Sequence, residues 1–237
     1  MNYSKLLVYR QGVLYPQTKK AESELKNNKV SFYYLEKERI ELLRFANLIK
    51  KSVNVLMDPI EICQLAMLVK NTRKIKGDIA EVGVYQGGSA RVICKYKGKK
   101  HLYLIDTFEG LPRTKRSDRN KVINKIYKKG QYPSTMEMVK KSLSSFDDVY
   151  IYKDFFSADY RTLNGKKFSL VHLDLDIFQS TLDCLTYFYP RMCKGGVIIT
   201  HDYQSASGVK RAFDQFFKNK SEIIIELAVT QAMVVVV

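Results

Sequence analysis

Apolar positions change period along the chain. Residues 35–53 carry Ile40, Leu42, Leu43, Phe45, Ala46, Leu48 and Ile49 at helical spacing. A second helix is announced by Asp58-Pro-Ile-Glu: Asp58 suits the N-cap, Pro59 the first helical position and Glu61 the third, a capping-box arrangement. That helix carries Ile60, Cys63, Leu65, Ala66 and Leu68 and ends within 70–74. From Gly77 onward, short apolar runs alternate with helical patterns. Strands are expected at 78–84, 101–106, 149–152, 169–173 and 195–200. Helices are expected from 90 to 96, from 134 to 143 with Ser134 as N-cap and Glu137 at its third position, from 180 to 189, and from 208 to 217. Pro190 stops the third of these. Residues 222–229 and 232–237 read as a terminal strand pair. Residues 1–35 are mixed: 6–9 suit a strand or a helix start, and 19–28 a polar loop or the end of a surface helix.

Strands alternating with helices imply a parallel sheet with right-handed crossovers. The expected class is α/β, as one domain over 1–237. Residues 1–74 form a helical extension or lid, and 75–237 the body. No internal repeat or low-complexity linker divides it.

The run Phe168-Ser-Leu-Val-His-Leu-Asp-Leu-Asp-Ile-Phe concentrates the chemistry. Its first half is apolar, as in a fully buried parallel strand. It then delivers Asp174 and Asp176, two residues apart and on one face by alternation. Two like charges at that edge are costly unless a cation or a shared proton relieves them, and the C-terminal edge of an open α/β sheet is where ligands bind. A divalent cation, a general base, or both would explain the pair. The other reading, with Asp176 capping the next helix and Asp174 solvated, stays open on the pair alone. His172, deeper in the same strand, reads as a satisfied core histidine.

Composition narrows the classes. The chain has 237 residues, 46% of them hydrophobic, enough for a large core. No apolar run approaches the ~20 residues of a membrane span. The first ten residues lack a secretion signal's apolar core and cleavage site, so a cytoplasmic location is expected. Cys63, Cys94, Cys184 and Cys193 are scattered, which suits reduced thiols better than a zinc site or disulfides. A net charge of +16 raises nucleic acid as a partner. The lysines are spread along the whole chain, without the aromatic interleaving of a single-strand-binding surface. Nucleic acid is therefore the weaker reading, and an anionic small molecule the better one. The densest basic stretch, 113–129, is either a lid or a solvated charged helix.

Glu81-Val-Gly-Val-Tyr-Gln-Gly-Gly-Ser is a glycine turn between a strand and a helix. Glycine there lets backbone approach a ligand. The spacing of Gly83, Gly87 and Gly88 is neither the dinucleotide fingerprint nor a P-loop. Glu81 could face a positively charged ligand group. Asp106, ending the second strand, suits ribose hydroxyls or a turn cap equally well.

Five stretches, Glu81-Val-Gly-Val-Tyr-Gln-Gly-Gly-Ser-Ala, Leu104-Ile-Asp-Thr-Phe-Glu-Gly-Leu-Pro, His172-Leu-Asp-Leu-Asp, Phe188-Tyr-Pro-Arg-Met-Cys-Lys-Gly-Gly and His201-Asp-Tyr, occur in order. Together they resemble the macrocin O-methyltransferase family, enzymes dependent on S-adenosylmethionine and magnesium that methylate sugar hydroxyls. The resemblance covers roughly residues 75–217 and implies a Rossmann-like class I methyltransferase fold, a mostly parallel seven-stranded sheet flanked by helices.

It also implies roles. Glu81, Gly83, Tyr85, Gly87, Gly88 and Ser89 would hold the amino acid part of S-adenosylmethionine. Asp106, Thr107 and Phe108 would hold the ribose, with Asp154 and Phe155 near the adenine. Asp174 would sit beside the cofactor and bind the metal with His201 and Asp202, Asp176 would be the general base, and Tyr203 would line the acceptor pocket. The family carries an Asp-Asp pair where this chain has His201-Asp202. The imidazole suits manganese or zinc better than it suits magnesium. The implied acceptor is a nucleotide-linked or polysaccharide-precursor sugar. Another small oxygen acceptor, phosphate-type or catechol-like, is the alternative. Self-association is a further expectation by analogy.

Overall fold

The computed structural model describes residues 6–10, 13–16, 31–34 and 37–237. Three short strands come first: β1 (Leu6–Arg10), β2 (Val13–Pro16) and β3 (Ser31–Tyr34), an antiparallel sheet in the order β2-β1-β3. The expectation of a helical extension is therefore corrected for the described part of 1–35. The expected loop at 19–28 lies outside the described residues. Helices follow as the periodicity requires: α1 (Lys37–Ser52) and α2 (Pro59–Thr72). The capping box of α2 is present in full, with Asp58 accepting from Ile60 N and Glu61 reaching back to Asp58 N.

The body continues with β4 (Asp78–Val82), α3 (Gly88–Tyr96), β5 (Leu102–Asp106), and a small hairpin of β6 (Arg119–Asn120) and β7 (Lys125–Ile126). Then come α4 (Met136–Leu143), β8 (Val149–Lys153), β9 (Phe168–Leu173), α5 (Phe178–Phe188), β10 (Met192–Thr200), α6 (Ser207–Phe217), β11 (Ile225–Glu226) and β12 (Ala232–Val235). Seven strands form one sheet in the order β11-β12-β10-β9-β4-β5-β8. The five central and outer strands β10, β9, β4, β5 and β8 pair in parallel, and β12 and β11 close the edge antiparallel.

Period-two alternation divides the core. Ala80, Val82, Tyr103, Ile105, Val171 and Leu173 face α5 and α6. Ile79, Leu102, Leu104, Leu170 and Ile199 face the layer built from α1 to α4. All six residues of β9 are buried, as an uninterrupted apolar run demands of a central strand.

Three local expectations shift. The cap of α4 is Thr135, whose hydroxyl accepts from Met138 N, while Ser134 donates to Tyr85 O at 2.6 Å. The basic stretch is a hairpin and not a helix. The last strand pair is shorter than the apolar pattern, because only Ile225 and Glu226 of 222–229 pair with β12. Cys94 and Cys184 are buried, Cys63 and Cys193 half-buried, and no disulfide joins them.

Candidate active site

The chain runs β4-β5-β8 toward one edge of the sheet, then returns to lay β9 and β10 on the other side of β4. A crevice opens where the strand order reverses, at the strands' C-terminal ends. Sheet pairing continues just past each strand and fixes where each loop starts. Gly83 N donates to Ile105 O at 3.0 Å, Asp174 N to Val82 O at 3.0 Å, His201 N to Leu173 O at 2.9 Å and Asp154 N to Asp106 O at 3.0 Å. Four loops are thereby aimed at one cavity of about 320 Å³, within the range of small-ligand sites.

The glycine turn lies at one end. Gly83 has φ +87, and a Cβ on it would sit 1.9 Å from the Asp174 carbonyl oxygen, so only glycine lets β4 and β9 diverge here. The carboxylate of Asp106 organises the turn. One oxygen accepts from Val84 N (2.7 Å) and Tyr85 N (2.9 Å), the other from Phe108 N (2.7 Å). Three of its roughly four acceptor positions are thus used. The segment between α1 and α2 roofs the turn: Asn54 N donates to the Gln86 side chain at 3.1 Å and Asn54 Nδ2 to the Tyr85 hydroxyl at 3.0 Å. Asn54, Val55, Leu56 and Met57 all line the cavity, a contribution that periodicity alone did not reveal.

Of the residues expected at the site, Gly83, Tyr85, Gly88, Ser89, Asp106, Thr107, Asp154, Phe155, Asp174, Asp176, His201 and Asp202 line this one cavity. Phe155 is 50% exposed, a large aromatic face left open beside it. Four expected residues do not line it. Gly87 is the left-handed N-cap of α3, with φ +80. Phe108 is buried in the core. Tyr203 is turned away, its hydroxyl donating to Asp214 at 2.6 Å with Lys210 Nζ at 2.9 Å. Glu81 is fully buried and paired across the sheet with His172, whose Nδ1 lies 2.8 Å from its Oε1. Burial pushes the Glu81 carboxyl up, and His172 only partly offsets this. His172 is a core histidine, as its position suggested, paired through Nδ1 with Glu81, while its buried Nε2 has no hydrogen-bond partner.

The far end of the cavity is acidic. Asp174, Asp176 and Asp202 gather there around His201, and no Lys or Arg is among the described lining residues. His201 Nδ1 lies 3.3 Å from Asp174 Oδ1 and 2.8 Å from Asp202 Oδ2, and its Nε2 lies 3.1 Å from Glu61 Oε2. Burial opposes charge on the ring, but Asp174 and Asp202 raise its pKa well above the usual histidine value. Burial likewise would raise Asp202, and His201 outweighs it, holding that carboxyl below its usual range. Asp176 has no such partner. It is 8% exposed, and burial, then Asp202, then Asp174 push its carboxyl well up; a hydrogen bond from Tyr127 relieves only part of this. A carboxyl so perturbed in a cleft marks a candidate functional group.

Asp174, His201 and Asp202 can each present one ligand atom within 4.8 Å of the others. His201 Nδ1 is buried and makes no hydrogen bond of its own, although two carboxylate oxygens crowd it. Two carboxylates and an imidazole nitrogen short of a partner fit a divalent cation.

Tyr127 and Asn120 were missed by sequence reasoning because they lie inside the basic stretch. Tyr127 is buried (3%), lines the cavity and faces Asp176, with Asn120 Nδ2 at 3.4 Å from its hydroxyl. Burial and the charges of Asp176 and Asp202 drive its own pKa up, so it stays protonated. The signal was a lone aromatic in a run of lysines. The hairpin is pinned to the site: Lys121 N donates to Ser205 O at 2.6 Å, and buried Asp118 accepts from Phe178 N at 3.1 Å. Its basic side chains Arg113, Lys115, Arg116, Arg119, Lys121 and Lys125 stay exposed.

An open, mostly parallel seven-stranded sheet with a glycine turn and strand-end acids at its switch point defines a class I methyltransferase fold. Residues 57–236 match the family described as macrocin-O-methyltransferase (TylF), and the chain belongs to that family. It is 26% identical over 142 residues to mycinamicin III 3''-O-methyltransferase of Micromonospora griseorubida, covering 54% of this chain and 56% of that one. It is 25% identical over 167 residues to demethyldecarbamoylnovobiocin O-methyltransferase of Streptomyces niveus, covering 65% and 62%. These matches thus span about three-fifths of each relative's length. Among solved structures, the O-methyltransferase NovP superposes with a TM-score of 0.65 at 19% identity, over 77% of this chain and 82% of that one. The calicheamicin methyltransferase CalS11 gives 0.60 at 14%, over 86% and 94%. Both agree in fold. Among the described residues, no helix is long and apolar enough to cross a membrane.

Proposed function

We propose that this chain methylates a sugar hydroxyl, using S-adenosylmethionine as donor and a divalent cation held by Asp174, His201 and Asp202. The observation that carries the reading is the meeting, in one cavity, of a glycine turn with a buried, strongly perturbed carboxyl, Asp176, beside a cation-type donor set. Family membership supplies the reaction class.

S-adenosylmethionine would supply an electrophilic sulfonium methyl group, taken by the acceptor oxygen as the neutral sulfide leaves. A cation held by Asp174, His201 and Asp202 would supply Lewis acidity that lowers the pKa of the acceptor hydroxyl. The protein does the rest. Asp176 takes the hydroxyl proton as the new carbon–oxygen bond forms. Tyr127 donates to Asp176 and orients it. The turn held by Asp106 shapes the backbone that receives the methionine part, and Phe155 offers its open face to the adenine. The imidazole of His201 moves cation preference from magnesium toward manganese.

The acceptor reading is narrower. With no cationic side chain among the described residues lining the cavity, a sugar ring suits the interior better than a phosphate does. An anionic, nucleotide-linked sugar would place its phosphates at the mouth, under the exposed lysines and arginines of the hairpin.

The direct test is a methyl-transfer assay with nucleotide-linked sugars, with and without added magnesium or manganese. A monomethylated sugar that disappears in EDTA is expected. Full turnover in EDTA would remove the cation from the mechanism. Replacing Phe155 by Ala is expected to weaken S-adenosylhomocysteine binding by about tenfold, from the ~1–3 kcal/mol of a base stacked on an aromatic ring. Titration calorimetry checks this, and an unchanged affinity would move the adenine elsewhere.

A further inference from the structure

The capping glutamate of α2 has more contacts than a cap requires. Glu61 lies 140 residues before His201 in sequence, yet it is 2% exposed and reaches that ring. A capping box needs one bond, from Glu61 Oε2 to Asp58 N, present at 2.8 Å. Glu61 takes three more donors. Oε1 accepts from Thr230 N at 3.0 Å and Thr230 Oγ1 at 2.5 Å, and Oε2 also accepts from His201 Nε2 at 3.1 Å. The carboxylate is thus clamped from three separate parts of the chain and has no freedom to leave the imidazole.

We propose that Glu61 is the positioning residue that makes His201 a cation ligand. By accepting from Nε2–H it fixes the ring and its tautomer, and it presents Nδ1 to the space shared with Asp174 and Asp202. This rests on the divalent-cation reading above.

An ionised carboxylate only accepts, so the nitrogen facing Glu61 carries a proton, and when a cation replaces the second proton, which Asp174 and Asp202 otherwise favour, Nδ1 carries the lone pair. That nitrogen is the one left without a hydrogen bond between two carboxylates. An imidazole tied by one nitrogen to a buried carboxylate, with the other free toward oxygen ligands, is the arrangement that orients metal-binding histidines and raises their basicity. The charge count agrees. Four carboxylates, Glu61, Asp174, Asp176 and Asp202, gather about one ring, with no lysine or arginine among the described residues lining the cavity. The competing account is a plain ion pair that docks α2 on the sheet, with no bearing on a cation.

Manganese separates the two. Mn2+ affinity is measured by calorimetry, and nitrogen ligation by the 14N modulation in pulsed electron paramagnetic resonance, on the full chain. Parent, Glu61→Gln, His201→Ala and the double variant are compared, each first checked for a cooperative melt without metal. The parent is expected to bind one Mn2+ per chain with 14N coupling, and His201→Ala to lose the coupling. Glu61→Gln keeps the cap and the shape. It is expected to weaken Mn2+ by about 10–100-fold, the usual cost of losing such a partner, and to diminish the coupling. In the His201→Ala background the same change should matter less than about twofold. Should Glu61→Gln fold poorly, Thr230→Val, which removes one of the two bonds to Glu61 Oε1, is expected to move affinity and coupling the same way by less. Parent-like affinity and coupling in Glu61→Gln, or equal losses in both backgrounds, would overturn the proposal while leaving the cation site standing. A folded parent that binds no divalent cation would overturn the cation reading itself.

Discussion

Replacing Asp176 by Asn is expected to lower methyl transfer by about 10²–10⁴-fold, the usual worth of a positioned general base. Binding of S-adenosylhomocysteine should survive. Asn tolerates the left-handed backbone of this position, φ +62, so the change is electrostatic and not conformational. A gain in stability is expected with it. Burial and the neighbouring Asp202 and Asp174 raise the Asp176 pKa in the folded chain. A raised folded pKa contributes stability below the unfolded value and loses it as pH rises through the folded one. The parent, kept metal-free in EDTA, therefore loses stability from this group on going from acid to neutral pH, and the Asn variant does not. Asp176→Asn should melt above the parent at neutral pH, with the gap closing toward pH 4. Thermal melts across that range check the sign. A variant that melts lower at every pH, or that retains turnover, would remove Asp176 from the role of strained base.

The second large effect is at Gly83. Replacing it by Ala combines an unfavourable φ of +87 with a Cβ 1.9 Å from the Asp174 carbonyl oxygen, a backbone atom that cannot swing aside. A loss of at least about 3 kcal/mol is expected, which for a chain of this size is a fall in melting temperature of roughly 6–12 °C. Cofactor binding should fail with it, since any relief must push β9's loop and Asp174 away from the turn. Gly165 supplies the control. Its φ is +76, but nothing lies within 4 Å of its added Cβ. Gly165→Ala should cost only the backbone term, about 1–2 kcal/mol, with binding intact. Equal losses at the two glycines would show that the close approach at Gly83 contributes nothing.

Much of this architecture could be read before any coordinates. The buried run of β9, the capping box at Asp58 and the alternation of apolar runs each report a local rule that tertiary structure kept. The acids at the ends of β5, β9 and β10 were legible for the same reason, because strand ends converge wherever a parallel sheet reverses its order. What failed was long-range. Nothing in a periodicity shows that Glu61 of α2 reaches His201, 140 residues on, or that Glu81 pairs inside the sheet with His172. The family resemblance placed Tyr203 in the acceptor pocket, but Asp214 and Lys210 draw its hydroxyl away. The lysine-rich stretch carried no strong period, and its hairpin is set by contacts with the loop after β10. Asp106 was read as a ribose ligand or a turn cap. Its three backbone bonds show that it first builds the turn.

The central claim is that this cavity receives S-adenosylmethionine at the glycine turn. Titration calorimetry with S-adenosylhomocysteine tests it most directly. Saturable heat at one molecule per chain, weakened in Phe155→Ala and kept in Asp176→Asn, is the predicted result. A folded sample that releases no heat with this ligand would contradict it.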